Sequence, residues 1–220
     1  MNRDELRMAL ETALTGRRLL SHPFYRRWVR GELTVDDLRG YAEQYRCFEA
    51  SLPVTLGRVR DGISDGAVRA IVQGNLDDET GAEGISHLEL FDRFMGALDA
   101  RSGATPGGAM AHLLSTYDAL TDGGPVGGLS ALLAYEVQVP EIAVSKAAGL
   151  TAHHGMSQEQ VAFWNVHASI DGAHAEWLLD GLARLEAPAA EVAAAARTAA
   201  DSWWKFLDEC EARLAVPARG

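Results

Sequence analysis

Lysine is nearly missing from this chain. Of 20 basic residues only Lys146 and Lys205 are lysine; the rest are arginine. Arginine keeps its charge in any setting, whereas a buried lysine can become a free amine, so a lysine retained here marks a place where a guanidinium would not serve. Cysteine is scarce too. Cys47 and Cys210 stand far apart and form no CxxC pair, which excludes a thiolate metal site and suits a reduced compartment. No run of 18 apolar residues occurs, so no membrane span is expected. The polar start, Met1-Asn2-Arg3-Asp4-Glu5-Leu6, is helix-like and is not read as a secretory signal, so a cytoplasmic location is expected. Basic excess is lacking as well. A net charge of −11 argues against nucleic acid as the main partner, because phosphate contacts need a basic face. The one basic cluster, Arg17, Arg18, Arg26, Arg27 and Arg30, reads as a solvated helix surface.

What is present is helix. No segment alternates with period two, and apolar residues recur at helical spacing over 4–20, 23–30, 35–61, 64–79, 85–100, 107–121, 126–150, 157–183 and 187–213. Thr34 with Asp37, and Ser157 before Gln158-Glu159-Gln160, read as N-caps. Gly103, Gly107-Gly108, Gly123-Gly124-Pro125 and Gly155 mark breaks. Pro53 and Pro140 fall inside periodic runs and are expected to kink their helices rather than end them. With 47% hydrophobic residues, short loops and no internal repeat, the 220 residues are expected to form one all-α domain over 1–220.

One motif carries chemistry. His167-Ala168-Ser169-Ile170-Asp171-Gly172-Ala173-His174 reads H-x3-D-x2-H. At about 100° per residue its three polar side chains share an arc of roughly 60°, so two imidazoles and a carboxylate lie on one helix face. They sit among Phe163, Trp164, Ile170, Trp177, Leu178 and Leu179, where unpaired titratable groups cost several kcal/mol and a divalent metal removes that cost. Three ligands on one helix cannot enclose a site. Glu136, in the apolar stretch Leu132-Leu133-Ala134-Tyr135-Glu136-Val137, is the best further candidate. Glu79 and His87 follow, separated by glycines that preclude one regular helix; a shared metal would fold one back toward the other. Glu83, four residues before His87, is a rival that spacing does not separate from Glu79. His153 and His154 read as loop residues, and His22 and His112 as packing or surface ones. Three histidines and three carboxylates are enough for two metals with open positions, and nitrogen and hard-oxygen donors suit iron or manganese, with zinc possible. The absence of any Glu-x-x-His separates this set from the ferritin-like arrangement.

The pattern of one Glu, a His about seven to ten residues on, a distant Glu and then H-x3-D-x2-H resembles the haem-oxygenase-like di-iron oxidases. That resemblance implies a seven-helix bundle shared with thiaminase and pyrroloquinoline-quinone synthase relatives, a homodimer, and Glu79, His87, Glu136, His167, Asp171 and His174 as metal ligands, with Asn75-Leu76-x-Asp78-Glu79 favouring Glu79 over Glu83. Within that group the chain is similar to the para-aminobenzoate synthases of the chlamydial type. The similarity runs from His22-x-Phe24-Tyr25-x-x-Trp28-x-x-Gly31-Glu32-Leu33-Thr34, through Tyr135-Glu136-x-Gln138-x-Pro140-x-Ile142-Ala143-x-x-Lys146-x-x-Gly149-Leu150, to Phe206-Leu207-Asp208. It implies a self-sacrificing enzyme that makes para-aminobenzoate for folate synthesis from its own tyrosine. Two metals (Fe/Fe or Fe/Mn), O2 and an external reductant would be needed. Tyr25 would be consumed, Tyr41 and Tyr135 would be redox tyrosines, and Lys146 would donate nitrogen. Lys146, ten residues after Glu136, is expected about 80° around the same kinked helix, near the metals. In place of a further phenol the C-terminal helix carries Trp203-Trp204. Three other readings stand beside this one. The same metals could act on an external amino acid, fatty acid or amine; a metal-free relative could act as a hydrolase or cofactor-ring oxidase; or the chain could be a helical partner-binding protein.

Overall fold

Helices begin where a side chain can accept from otherwise free amides. In the computed structural model, which describes residues 2–82 and 84–214, Asn2 opens α1 (Arg3–Leu14) in a capping box with Glu5. His22 caps α2 (Pro23–Arg30), its Nδ1 accepting from the Phe24 amide at 3.1 Å. Thr34 and Asp37 form the expected capping box of α3 (Val35–Gly62). Asp65 opens α4 (Gly66–Thr80), and Ser86 opens α5 (His87–Ala97). There follow α6 (Gly108–Asp122), α7 (Pro125–Glu136), α8 (Val139–His154), α9 (Ala162–Arg184) and α10 (Ala189–Leu214), with one short 3-10 turn at Leu19–Ser21. No strand occurs among the described residues, and the fold is all-α.

The expected boundaries need four corrections. The described residues form ten α-helical segments, not the seven that the resemblance implies. The run 4–20 is not one helix: α1 stops at Leu14, Gly16 turns the chain, and the 3-10 turn carries it into α2. Pro140 does not merely kink the run 126–150. Lacking an N–H, it cannot continue α7, so the helix breaks at Val137–Gln138 and Pro140 sits in the first turn of a new one. Gln138 spans the break, donating from Nε2 to the Ala134 carbonyl at 2.8 Å and accepting the Leu19 amide on Oε1 at 2.9 Å. Finally, Ser157 and Gln160 do exchange cap contacts, but over a turn; α9 itself starts only at Ala162. Pro53 stays within α3 as expected.

The arrangement of buried faces places the site. In α7 every residue from Gly127 to Glu136 is buried, so this helix runs through the middle of the bundle and ends on a carboxylate. In α3, Tyr41, Ala42, Tyr45, Phe48, Glu49, Leu52, Leu56 and Val59 form one buried seam at spacings of three and four. α9 buries His167, Asp171 and His174 together with Trp164, Leu178 and Leu179. α10 packs on α7, α1 and α6, α8 packs on α9, and α3 on α4. The polar groups of α3, α4, α7 and α9 therefore meet inside apolar walls. His22, expected as a packing or surface residue, is fully buried with Nε2 3.1 Å from Asp208.

Candidate metal centre

All six expected ligands are buried. Gly81, at a φ of +71° that suits glycine, closes α4 just after Glu79, and the following turn brings the chain back so that α5 begins on His87. Nδ1 of His87 comes to 3.0 Å from Oε1 of Glu79, within ion-pair distance but without an aligned hydrogen bond. His167 joins them from α9, its ring centroid 4.4 Å from that of His87, and donor atoms of Glu79, His87 and His167 all lie within 4.8 Å of one another. Nδ1 of His167 donates to the Phe163 carbonyl at 2.9 Å, which leaves Nε2 free as a ligand. Two turns further on, His174 points Nε2 at Asp78, 2.8 Å away, and has Nδ1 3.8 Å from Asp171 Oδ1. Glu79, Glu136, His167, Asp171 and His174 line one cavity of only ≈ 10 Å³. The rival Glu83 lies outside the described residues.

The donor set fits a metal pair. Glu136 Oε2, Asp171 Oδ1, His87 Nδ1 and Glu49 Oε2 are buried with no hydrogen-bond partner, a concentration of unsatisfied atoms that a folded interior otherwise avoids. Burial pushes the Glu136 carboxyl well above its usual range, with Glu79 adding to the shift; burial and then Glu136 do the same to Asp171. Burial lowers His167 to about 4, so it is a neutral imidazole ready to coordinate. For His87 burial pulls downward, but the neighbouring Glu79 outweighs it and the net shift is upward. Carboxyls this hard to ionise alone are ones that two divalent cations would hold ionised.

A second buried cluster lies next to this one. Lys146 is 2% exposed, and its Nζ lies in a cage of five rings, 4.6 Å from the centroid of Tyr25, 5.3 Å from Trp28, 4.7 Å from Tyr41, 4.9 Å from Tyr45 and 4.2 Å from Trp164. It donates to the Tyr41 hydroxyl at 2.5 Å, and the Tyr41 and Tyr25 hydroxyls are 3.0 Å apart. Desolvation lowers the Lys146 pKa well below that of a free lysine, so the cage favours the amine over the ammonium. Lys146 itself does not line the carboxylate cavity, and the break at Val137–Gln138 lies between it and Glu136. Burial also raises the phenols of Tyr25, Tyr41 and Tyr135, which stay protonated.

Three functional neighbours escape the sequence reading. Tyr45 stacks on Tyr41, with centroids 5.4 Å apart and planes at 24°, and its hydroxyl bonds that of Tyr135. Tyr135 lines the carboxylate cavity, so an unbroken series of phenols runs from that cavity to Tyr25. Asp78 orients His174. Glu49, also in the cavity wall, is 2% exposed and raised to about 8, first by burial and then by Glu79. Tyr45 and Glu49 could have been found by extending the seam of α3 through Tyr41, Phe48 and Leu52. Trp203 stacks on Tyr135 at 4.4 Å and donates to the Tyr117 hydroxyl at 3.0 Å. Of the basic cluster, Arg17, Arg18, Arg27 and Arg30 are paired with surface carboxylates.

Comparison with known proteins shows the family. Residues 39–204 match the family described as iron-containing redox enzymes. A 4-aminobenzoate synthase of Nitrosomonas europaea is 35% identical over 94% of this chain and 92% of its own length. The 4-aminobenzoate synthase of Chlamydia trachomatis serovar D is 31% identical over 90% of this chain and 89% of its own. Among solved structures, a CADD-like protein of Nostoc punctiforme superposes with a TM-score of 0.81 at 21% identity, covering 96% of this chain and 97% of that one. A TenA homologue of Pseudomonas syringae pv. tomato gives 0.82 at 15% identity, covering 94% and 93%. At those identities the structures bear on the fold alone. The buried Glu/His/His cluster, the haem-oxygenase-like bundle and the match over most of its length place the chain in the family of iron-containing redox enzymes, close to the 4-aminobenzoate synthases.

Proposed function

We propose that this protein makes 4-aminobenzoate from the ring of its own Tyr25, with Lys146 as nitrogen donor and O2 as oxidant. Glu79, His87, Glu136, His167, Asp171 and His174 would hold two metal ions, Fe/Fe or Fe/Mn. The observation that carries the proposal is the placement of a neutral amine 4.6 Å from the centroid of a buried tyrosine ring. The names of the relatives support the product. When bound, the metals supply, with O2 and an external reductant, the oxidising power that removal of an electron from a phenol requires.

The chain's own residues do the rest. Tyr135, on the cavity wall, is in hydroxyl contact with Tyr45; Tyr45 stacks on Tyr41, and Tyr41 is 3.0 Å from Tyr25. A phenol that gives up an electron must also give up its proton. Tyr25 can pass that proton to Tyr41 and so to the basic nitrogen of Lys146, 2.5 Å further on. The same path can return the proton through Tyr41 to the phenolic oxygen, which leaves as water while the freed lone pair of the amine forms the bond between nitrogen and the electron-poor ring. Two more bonds must break to release the product, Nζ–Cε of Lys146 and Cα–Cβ of Tyr25, with O2 as the oxidant that leaves Cε as an aldehyde and converts Cβ to the carboxylate; the product would feed folate synthesis. Water, the competing nucleophile, is excluded, since Tyr25 and Lys146 are each 2% exposed. The ≈ 10 Å³ cavity has no room for an amino acid or fatty acid, which favours an internal substrate.

One observation favours the external-substrate reading. A surface cleft of ≈ 520 Å³, lined by Asp77, Asp78, Ile85, His87 and Trp177, abuts the metal side of α5. Ring-labelled tyrosine separates the two readings. Protein grown on it, loaded with iron, reduced and exposed to O2 should release labelled 4-aminobenzoate, and Tyr25→Phe should abolish release with metal content intact. Label retained in the polypeptide, with turnover of an added small molecule, would select the external substrate.

A further inference from the structure

We propose that Glu49 is a seventh donor of the metal centre, supplied by α3, the one surrounding helix from which the six-residue set takes nothing. This rests on the reading that the cavity binds metals, and it adds a ligand to it. Glu49 is 2% exposed, shares the cavity wall with Glu79, Glu136, His167, Asp171 and His174, and leaves Oε2 without any hydrogen-bond partner. Among the described residues no arginine or lysine forms an ion pair with it. A glutamic acid kept there for packing would place its proton on an acceptor, since a buried unsatisfied polar atom costs stability. At this site that atom is turned into the cavity instead.

The charge count points the same way. Two divalent ions bring four positive charges into a dry interior. Glu79, Glu136 and Asp171 supply three negative ones, and the histidines, as neutral ligands, supply none. One uncompensated positive charge would remain buried, a costly arrangement. Glu49 makes the centre neutral. Its place at the foot of Tyr45, four residues earlier on the same helix, also joins the metal cavity directly to the helix that carries Tyr41 and Tyr45.

The test is equilibrium binding of Fe(II) and of Mn(II) to the metal-free full chain, with bound metal counted per chain and the Mn(II) electron paramagnetic resonance spectrum recorded. Parent protein should take up two ions. Glu49→Gln should bind at least one of them 10- to 100-fold more weakly and alter the spectrum, while its metal-free form melts no lower than the parent, since the amide keeps the size and shape of the carboxyl. Glu49→Asp, one methylene short, should fall between the two. If Glu49→Gln takes up two ions with parental affinity and an unchanged spectrum, Glu49 is not a ligand although the centre exists. If the parent binds neither ion, the centre itself is overturned and Glu49 with it.

Discussion

A lysine surrounded by five aromatic rings is the least comfortable residue in this protein, and its discomfort has a measurable sign. Lys146 is neutral in the folded chain and protonated in the unfolded one up to about pH 10.4, so unfolding takes up a proton over that window. Stability therefore rises with pH by about 1.4 kcal/mol per unit between the depressed folded-state value and the unfolded one, and is lost as the pH falls. Lys146→Met fills the cage without a titrating group. Urea unfolding from pH 8 to 10 should find the variant more stable than the parent, by a margin that shrinks as the pH rises; a constant margin would mean that the folded amine is charged. The variant should form no 4-aminobenzoate. Lys146 was legible because arginine is the habit of this chain, and H-x3-D-x2-H was legible because three polar residues share one arc of an apolar helix. Glu49 was not. A single glutamate in a long amphipathic helix looks like a surface residue until the seam of Tyr45, Phe48 and Leu52 shows which way it faces.

Between helices, the site depends on how closely α2 and α8 approach, because one carries Tyr25 and the other Lys146. Gly149 sets that distance. A Cβ there would stand 2.9 Å from Cδ1 and 3.1 Å from the carbonyl oxygen of Trp28, whose indole N–H donates to the Lys146 carbonyl at 3.3 Å. Gly149→Ala should force the helices apart, cost about 1–3 kcal/mol by overpacking and lower the product yield roughly 100-fold while metal content stays at the parental level. Full yield would show that this spacing is not what positions the amine. Helix existence was largely readable from periodicity, and so was the reversal between Glu79 and His87, since the glycines at 81 and 84 cannot continue a helix. Helix ends were less readable. The apolar pattern of α1 runs on past Leu14 although the backbone turns at Gly16, and the pattern across Glu136 and Lys146 runs on although Pro140 has no N–H to give. Periodicity reports which residues face inward and is silent on whether the chain between them stays helical.

For the molecule as a whole, the proposed metals would belong to the fold's stability as much as to its chemistry. Four carboxyls and two histidines line a cavity that apolar helices enclose, with His87 beside Glu79, and without cations their unpaired atoms are a standing cost. Chelation should lower the melting temperature by roughly 5–10 °C at metal concentrations about 100-fold above the dissociation constant, and readdition of iron or manganese should restore it. Identical melting curves with and without metal would place the ions elsewhere or nowhere. An enzyme that spends its own side chain also has a fixed yield, at most one product per chain. The most direct measurement is peptide mass spectrometry of metal-loaded protein before and after one exposure to reductant and O2, alongside quantified 4-aminobenzoate. The account predicts that the peptide containing position 25 loses its aromatic ring in the same molar amount as product appears. An intact Tyr25 beside accumulating product would contradict it.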